Sequence, residues 1–202
     1  MKFPSNQNHS DGHFQDLMLH RIHDILLVAS PYDAFILEED GRLTEQILHE
    51  YLGMNLSYAP RVWQANTASY AMDLLSRRSV DLVIVMMRIS DMDLITFGTQ
   101  VKELYKNKPI ILLAFDESEI KQLPDDRDQF MDNVFVWTGN SSVFPAIIKY
   151  IEDSKNVKRD TRKGDVRSII YIEDTPRYYS SILPLIYKET LFHTKQLIDK
   201  SL

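Results

Sequence analysis

The segment 81–93, DLVIVMMRISDMD, combines an apolar run with side chains that invite a chemical interpretation. Asp91 and Asp93 follow the run, and closely spaced carboxylates are a common form of metal ligand. Met86 and Met87 end the run itself, where their neutral thioethers are at best weak hydrogen-bond acceptors. We interpret Asp91 and Asp93 as residues of a solvated loop, with a metal site as the alternative.

Four histidines near the N-terminus are a second candidate for metal binding. Their spacings would place each of two pairs on one face of a helix, and a short amphipathic helix is predicted within 14–23, FQDLMLHRIH. No cysteine and no clear third ligand accompany them, so we favour a solvated N-terminal arm over residues 1–23. The histidines are His9, His13, His20 and His23.

The composition limits the class of protein. The 202 residues are 44% apolar and 26% charged, an ordinary globular balance. A net charge of -6 argues against a general nucleic-acid binder, which needs excess lysine and arginine. With no cysteine, a disulfide framework, a thiolate zinc site and a cysteine nucleophile are excluded. No apolar run reaches the roughly 20 residues of a membrane span, and residues 1–16 lack the apolar centre of a signal peptide. We therefore expect a cytoplasmic protein without membrane contact.

Apolar runs and amphipathic segments alternate along residues 24–153. The runs predict strands that are buried on both faces, and the segments between them have the apolar spacing of helices. This order predicts an α/β fold, a doubly wound parallel sheet of about five strands with helices on both faces. The predicted strands are 24–30, 61–65, 81–87, 110–115 and 133–137, and the predicted helices are 42–53, 68–78, 95–107 and 142–153.

Individual residues predict where some elements begin and end. Gly53 predicts the end of the first of these helices. Segment 31–41, PYDAFILEEDG, is predicted to be a loop. Segment 116–119, DESE, predicts a helix N-terminus because the helix dipole favours acidic residues there. The N-cap candidates are Asn66 or Thr67 for one helix and Asn140 or Ser141 for another.

The C-terminal part of the chain has a different pattern. Residues 154–167 are charged and predict a linker, and residues 168–172 predict a strand. One long helix is predicted after it, with Pro176 near the first turn and Pro184 positioned to bend the helix. An apolar stripe on this helix predicts either packing against the protein or a homodimer. The stripe comprises Tyr179, Ile182, Leu183, Ile186, Tyr187, Leu191 and Leu197.

Residues 25–151 resemble the receiver domain of bacterial response regulators, which has a flavodoxin-like fold. Segment 80–93, VDLVIVMMRISDMD, is similar to the receiver's third strand and the loop that follows it. Segments 64–75, QANTASYAMDLL, and 108–115, KPIILLAF, resemble the second strand with its helix and the fourth strand. The resemblance implies phosphoryl transfer to an aspartate at the end of the third strand. It also implies an acidic Mg²⁺-binding pair after the first strand, a hydroxyl after the fourth and a lysine after the fifth.

The groups that this chemistry needs do not stand at the matching positions. A dianionic phosphoryl group would lie there among apolar side chains, with no cation to offset its charge. We therefore expect a pseudo-receiver without a cofactor, whose pocket is filled by Met86, Met87 and Trp137. The acceptor position falls on Met86, the acidic pair on Ala29 and Ser30, the hydroxyl on Ala114, and the lysine on Trp137 or, with a one-residue shift, Thr138.

The loop after the first strand offers two other interpretations of the same end of the sheet. A nucleotide site at the switch point of the sheet is disfavoured, because segment 30–35, SPYDAF, has neither the glycines nor the lysine of a phosphate-binding loop. Replacement metal ligands are the other alternative, since this loop is rich in carboxylates. These carboxylates are Asp33, Glu38, Glu39 and Asp40.

Residues 168–202 are predicted to begin a second receiver-like unit. Segment 169–179, IIYIEDTPRYY, resembles the first strand of a receiver, and this resemblance implies that Glu173 and Asp174 are a Mg²⁺-binding pair. The two units together look like the N-terminal regulatory region of phosphoenolpyruvate synthase-like and pyruvate phosphate dikinase-like bacterial proteins. A lone strand is not stable in isolation. It must pair with a sheet edge of the first domain, exchange into another copy, or belong to a domain that is cut off, and we favour the last.

These patterns predict a non-enzymatic signal-transduction module of the two-component type. We expect it to bind a protein partner, or further domains of the same polypeptide, without accepting phosphate at the usual position. One alternative is a phosphorelay receiver whose acceptor lies in the second unit, and another is the regulatory part of a phosphoenolpyruvate synthase-like enzyme. A DNA-binding output is not expected, since no basic recognition helix follows the receiver-like part.

Overall fold

The computed structural model describes residues 18–39, 41–54, 56, 58–163 and 168–201. Within these residues, strands and helices alternate along most of the chain. In chain order the elements are β1 (Asp24–Val28), α1 (Pro31–Leu37), α2 (Leu43–Gly53), β2 (Arg61–Ala65), α3 (Ala68–Arg77), β3 (Leu82–Met86), α4 (Leu94–Leu104), β4 (Ile110–Ala114), α5 (Glu117–Ile120), a 3₁₀ turn (Arg127–Gln129), β5 (Asn133–Val136), α6 (Val143–Lys163) and α7 (Pro176–Ser201).

The strands form one parallel sheet in the order β2-β1-β3-β4-β5. In its register, Ile25 of β1 pairs with Val62 on one side and Leu82 on the other, and Met86 of β3 pairs with Leu113. Every residue of β3 and β4 is buried, as expected for parallel strands that are covered by helices on both faces. The structure confirms the predicted doubly wound, flavodoxin-like α/β fold.

Two apolar layers hold the sheet, because successive strand residues face opposite sides. Leu27 and Ile84 face the layer that contains α2 and α6. Leu26 and Val85 face the layer that contains α3 and α4. The carboxyl ends of β1, β3, β4 and β5 are therefore fixed side by side, and the loops that follow them form one end of the molecule.

The helix ends agree with most of the predicted boundary residues. The Thr67 hydroxyl accepts the Tyr70 N–H at 3.1 Å and begins α3. The Asp116 carboxylate accepts two backbone N–H groups at the start of α5. The Asn140 side chain accepts one N–H at 2.9 Å in the turn before α6, and Gly53 ends α2.

The prediction of a loop over 31–41 is wrong for its first seven residues, which form α1. The Ser30 hydroxyl accepts the Asp33 N–H at 3.1 Å, and Pro31 occupies the start of the helix, where its missing N–H is tolerated. The short length of this helix left no apolar period in the sequence, so only the cap residues indicated it.

Residues 18–23 are not helical, contrary to the prediction for 14–23, and the rest of the N-terminal arm lies outside the described residues. Their backbone groups bond to side chains of α6 instead. His20 donates to Asn156 Oδ1 at 3.0 Å and accepts from Asn156 Nδ2 at 2.7 Å, and the Ile22 N–H donates to Glu152 at 2.9 Å. Described residues include no group of histidines and carboxylates able to hold a metal ion, His20 and His23 included.

The predicted charged linker, 154–167, is wrong as far as Lys163, because α6 continues to that residue. Lysine, arginine and similar side chains are good helix formers and can face solvent throughout. Asn156 is nevertheless buried in this stretch, where it binds the N-terminal arm. The scarcity of apolar residues therefore marked a largely exposed helix and not an irregular linker.

The strand that was predicted over 168–172 is also wrong, since these residues form no strand within the described chain. The long helix after them is confirmed, and it continues through Pro184. α7 packs on α6 and on the outer edge of β5, where the Ser180 hydroxyl accepts the Val136 N–H at 2.8 Å. A helix, rather than a strand, covers this edge of the sheet.

The apolar stripe that was predicted on α7 is divided between two environments. Leu183 is buried, and Tyr179, Tyr187 and Leu191 pack against the core. Another set of apolar side chains on α7 is exposed, and it overlaps the stripe only in part. The exposed set comprises Tyr178, Ile182, Leu185, Phe192 and Leu197.

No helix in the described residues is long and apolar enough to cross a membrane.

Candidate functional site

The end of β3 is the position where the family resemblance would place a phosphoryl acceptor, and it holds a buried thioether. Met86 is the last residue of the strand and is 0% exposed. Its side chain belongs to the layer formed with α2 and α6, whereas the half-buried Met87 packs against the opposite layer. A thioether in this position can fill space but cannot act as an oxygen nucleophile or bind Mg²⁺.

The end of β1 carries no acidic pair. Ala29 is buried, and its N–H donates to Ala65 O at 3.0 Å. Ser30 supplies the only side-chain oxygen of the two matching positions, and that hydroxyl already caps α1. This end of the sheet therefore offers two small residues whose polar atoms serve the fold.

The ends of β4 and β5 are apolar as well. Ala114 is fully buried, and its carbonyl accepts the Trp137 N–H at 2.7 Å. The Trp137 ring packs with Phe144 of α6 at a centroid distance of 5.6 Å. Thr138, the alternative lysine position, is exposed. The hydroxyl and lysine positions of the resemblance are thus a methyl group and an indole.

An ion-pair cluster that the sequence did not predict connects the loop after β3 with α1 and α5. Arg88, two residues after Met86, has Nη2 at 3.3 Å from Glu119 and Nε at 3.9 Å from Asp33 Oδ1. Glu119 also accepts the Phe115 N–H at 2.7 Å. The Asp33 side chain is only 2% exposed, and its Oδ1 has no hydrogen-bond partner. The guanidinium is therefore the nearest compensation for a buried carboxylate.

Glu38 and Glu39, the other described acidic residues of the segment after β1, do not join this cluster. Glu38 accepts from Gln64 Nε2 at 2.8 Å and from the Leu43 N–H at 3.4 Å, so it connects α1 with α2 and β2. Glu39 is exposed, and Asp40 lies outside the described residues. Of the three predicted replacement ligands that the structure describes, Asp33, Glu38 and Glu39, only Asp33 lies in contact with Arg88.

Asp91 and Asp93 are exposed, as expected for a solvated loop, but both are helix caps. Asp91 accepts the Ala68 N–H at 2.6 Å and the Ser69 hydroxyl at 2.6 Å, which ties this loop to the start of α3. Asp93 accepts the Thr96 N–H at 2.9 Å and begins α4. Hydrogen bonds from Ser69 and from Thr96 lower the pKa of Asp91 and of Asp93, respectively.

Glu173 and Asp174, the acidic pair predicted for a second unit, lie in the turn that precedes α7. Glu173 accepts the Thr175 N–H at 3.0 Å, and Asp174 accepts the Thr175 hydroxyl at 3.2 Å. Both carboxylates therefore make local hydrogen bonds at a helix start. A magnesium role for this pair stays a prediction.

Comparison with known proteins identifies the fold through solved structures. No protein-family model matches the chain, and no curated protein matches it. A CheY-like receiver domain from Methanospirillum hungatei JF-1 is 14% identical with a TM-score of 0.50, over 68% of this chain and 98% of that chain. A signal receiver domain of an HD domain-containing protein from Pseudomonas fluorescens Pf-5 is 22% identical with a TM-score of 0.45, over 70% of this chain and 95% of that chain.

A streptococcal protein is a further structural neighbour. It is described as one of a novel family of redox sensors that evolved from two-component response regulators. It is 15% identical with a TM-score of 0.53, and the alignment covers 77% of this chain and 59% of that chain. At identities this low, the structural similarity establishes a shared receiver-type fold and nothing finer.

Proposed function

We propose that this chain is a receiver-type regulatory module that binds another protein domain and does not accept a phosphoryl group at the end of β3. The observation that carries the proposal is the fully buried Met86 at the acceptor position. Ala29, Ser30, Ala114 and Trp137 add to it, since none supplies a free carboxylate or cation. With no other chemistry assigned to these residues, the proposed role is non-enzymatic.

The ion-pair cluster supports the same proposal on electrostatic grounds. A receiver balances the charge at this end of the sheet with a divalent cation, whereas here the Arg88 guanidinium lies between the carboxylates of Asp33 and Glu119. A phosphoryl group carries a charge of about -1.5 to -2 near pH 7. Bringing that charge next to a buried and incompletely paired carboxylate is unfavourable by several kcal/mol on the scale of buried charges.

The proposed partner is a protein domain, carried by the same polypeptide or by another chain. A second copy is one such partner, because α7 leaves Tyr178, Ile182, Leu185 and Phe192 exposed on its outer side, and aromatic and large apolar residues are common at interface centres. The resemblance to regulatory regions of phosphoenolpyruvate synthase-like proteins would make the partner a catalytic portion. The net charge of -6 disfavours nucleic acid.

Two alternatives receive less support from the residues. A phosphorelay site that uses Glu173 and Asp174 would have to release both carboxylates from their bonds to Thr175. A redox sensor like the streptococcal neighbour could not work through a thiol, since the sequence contains no cysteine. We therefore retain protein binding as the proposed function.

Phosphorylation with acetyl phosphate and Mg²⁺, followed by intact-mass measurement, tests the proposal. A CheY-like receiver treated in parallel should gain one phosphoryl group, and this chain should gain none. Asp33→Asn is the informative variant, because Asp33 is the buried carboxylate that contacts Arg88, two residues after Met86. A stoichiometric, base-labile adduct on the wild-type chain that disappears in Asp33→Asn would overturn the proposal.

A further inference from the structure

A cleft of about 510 Å³ lies at the opposite end of the sheet, below the amino ends of β4 and β5. Its walls are the C-terminal half of α4 with the following loop and the middle of α6. The volume is within the range of small-molecule sites, roughly 300–1,000 Å³. The cleft is lined by Lys102, Lys106, Asn107, Pro109, Asp132, Tyr150, Ile151, Ser154 and Lys155.

The single acidic residue of the lining, Asp132, already has two partners. Asp132 Oδ2 accepts from Lys102 Nζ at 2.6 Å and from the Ile110 N–H at 2.7 Å. Lys102 Nζ also donates to the Lys108 carbonyl at 3.0 Å. Asp132 therefore compensates the charge of Lys102 and holds the start of β4.

Lys106 and Lys155 carry the charge that remains. Both are exposed, and neither makes an ion pair or a side-chain hydrogen bond within the described residues. Lys108 stands next to the cleft, and burial lowers its pKa; Asp81 opposes this effect and the charge of Lys155 adds to it. An acidic protein thus concentrates positive charge in one concave region, whose lining holds three lysines and one carboxylate.

We propose that this cleft binds a small phosphate monoester, with its phosphate between Lys106 and Lys155. Lysine binds phosphate as a compact point charge, and two uncompensated lysines match a group whose charge is about -1.5 to -2 near pH 7. The organic part of the ligand lies against Pro109, Tyr150 and Ile151, which also line the cleft. This site is separate from the end of β3 and goes beyond the proposed function, since it requires no phosphoryl transfer.

Titration of the ¹⁵N-labelled full chain with phenyl phosphate at low ionic strength, followed by amide NMR, tests the site. We expect saturable shifts confined to 102–110, 132 and 150–155, with a dissociation constant of about 1 mM or below. Raising the salt to about 0.5 M should weaken binding, because exposed charges are then screened. Absence of shifts in these residues, or shifts centred on β3 and α1, would overturn the proposal.

Charge variants identify the lysines that hold the phosphate. Lys106→Gln and Lys155→Gln should each weaken phenyl phosphate binding about fivefold, as expected for one exposed ion pair. Lys158→Gln, on the same helix but outside the lining, should leave the affinity unchanged. Equal affinity in the Lys106→Gln and wild-type chains refutes the proposed contact.

Two related probes separate the parts of the ligand. Phenol should not bind, and inorganic phosphate should bind more weakly than phenyl phosphate. If phenol binds as tightly as phenyl phosphate, the charge does not contribute to binding. If inorganic phosphate binds as tightly as phenyl phosphate, the organic part does not contribute. Either result would refute the monoester proposal. The acetyl phosphate experiment tests the proposed function separately, so the two proposals can fail independently.

Discussion

The two ends of the sheet differ in how their charged groups are used. At the carboxyl end, Arg88 compensates Asp33 and Glu119, and Asp91 and Asp93 cap helices. At the amino end, one lysine of the cleft is neutralised by Asp132, and other lysines have no partner within the described chain. A receiver-type fold is expected to offer reactive groups at the carboxyl end. Here the carboxylates at that end have partners within the protein, and lysines without partners in the described chain lie at the amino end.

Replacement of Met86 should have the largest effect, because it introduces a charge into the closed end. Met86→Asp places a carboxylate at a fully buried position, and we expect a loss of about 3 kcal/mol or more in the free energy of unfolding. Urea denaturation measures this loss. The control Met86→Leu conserves apolar volume and should lose less than about 1.5 kcal/mol.

A much smaller loss of stability in Met86→Asp would contradict the contrast between the two ends of the sheet. If Met86→Asp unfolds at nearly the same urea concentration as the wild-type chain, water or a cation must reach the end of β3, and this end is open rather than closed.

Removal of Arg88 should have the next largest effect. Arg88→Met leaves the buried Asp33 carboxylate without its nearest cation, and we expect a loss of about 1–2 kcal/mol, limited because the Arg88 side chain is 62% exposed. Arg77→Met is the matched control, since its pair with Asp73 lies on an exposed helix face and should change stability by less than about 0.5 kcal/mol.

A double-mutant cycle sharpens this prediction. Asp33→Leu combined with Arg88→Met removes both charges and should lose less stability than the two single changes added together. Strict additivity would mean that the 3.9 Å approach of Arg88 Nε to Asp33 Oδ1 contributes nothing.

The capping role of Asp91 predicts an acid dependence. Its pKa is lower in the folded chain than in the unfolded one, chiefly because of the Ser69 side chain. Its stabilisation is therefore complete above the unfolded value and is lost as the pH falls through the folded pKa. Between about pH 5 and pH 2, the melting temperature of Asp91→Asn should fall less than that of the wild-type chain.

A matched acidic residue tests whether the effect is local. Asp128 is exposed, and its side chain makes no bond within the described residues. Asp128→Asn should follow the wild-type curve of melting temperature against pH. If Asp91→Asn does so too, the hydrogen bonds to α3 do not contribute to stability in solution.

The smallest effect is expected at the amino end. Lys155→Gln removes a charge that has no partner in the described chain and that lowers the pKa of Lys108, so stability should change by less than about 0.5 kcal/mol. Urea denaturation without added phosphate is the measurement. A loss above about 1 kcal/mol would mean that Lys155 is committed to the fold, and the contrast between the two ends would disappear.

Burial was the part of the fold that the sequence predicted well. Strands such as Ile110–Ala114 are continuous apolar runs because helices cover both faces, so the pattern is local and directly readable. Segment 168–172 contains a similar run, yet Ile170 is 83% exposed and the segment is not a strand. Apolar residues predict a strand only when partners cover them, and the sequence does not say where those partners are.

The sequence predicted which residues stand at the strand ends of the candidate site, but not the ion pairs between them. The positions of Met86 and Ala114 follow from their place at the ends of apolar runs, and both are buried, in opposite layers of the core. The contact between Arg88 and Glu119 joins residues 31 positions apart, one in the loop after β3 and the other in α5. No local period marks such a pair. An arginine that follows directly on a buried strand end was the one signal that could have indicated it.

The contact between Ser180 and Val136 has a consequence for assembly. Edge strands expose unpaired backbone groups onto which a strand from another molecule can add. On β5 that opportunity is removed, because a hydroxyl from α7 already takes the Val136 N–H and the helix covers the strand. Among the described strands, β2 is the other edge. Edge-to-edge aggregation of the native protein should therefore proceed from β2 only, and sheets joined at that edge would stop at pairs instead of growing into fibres.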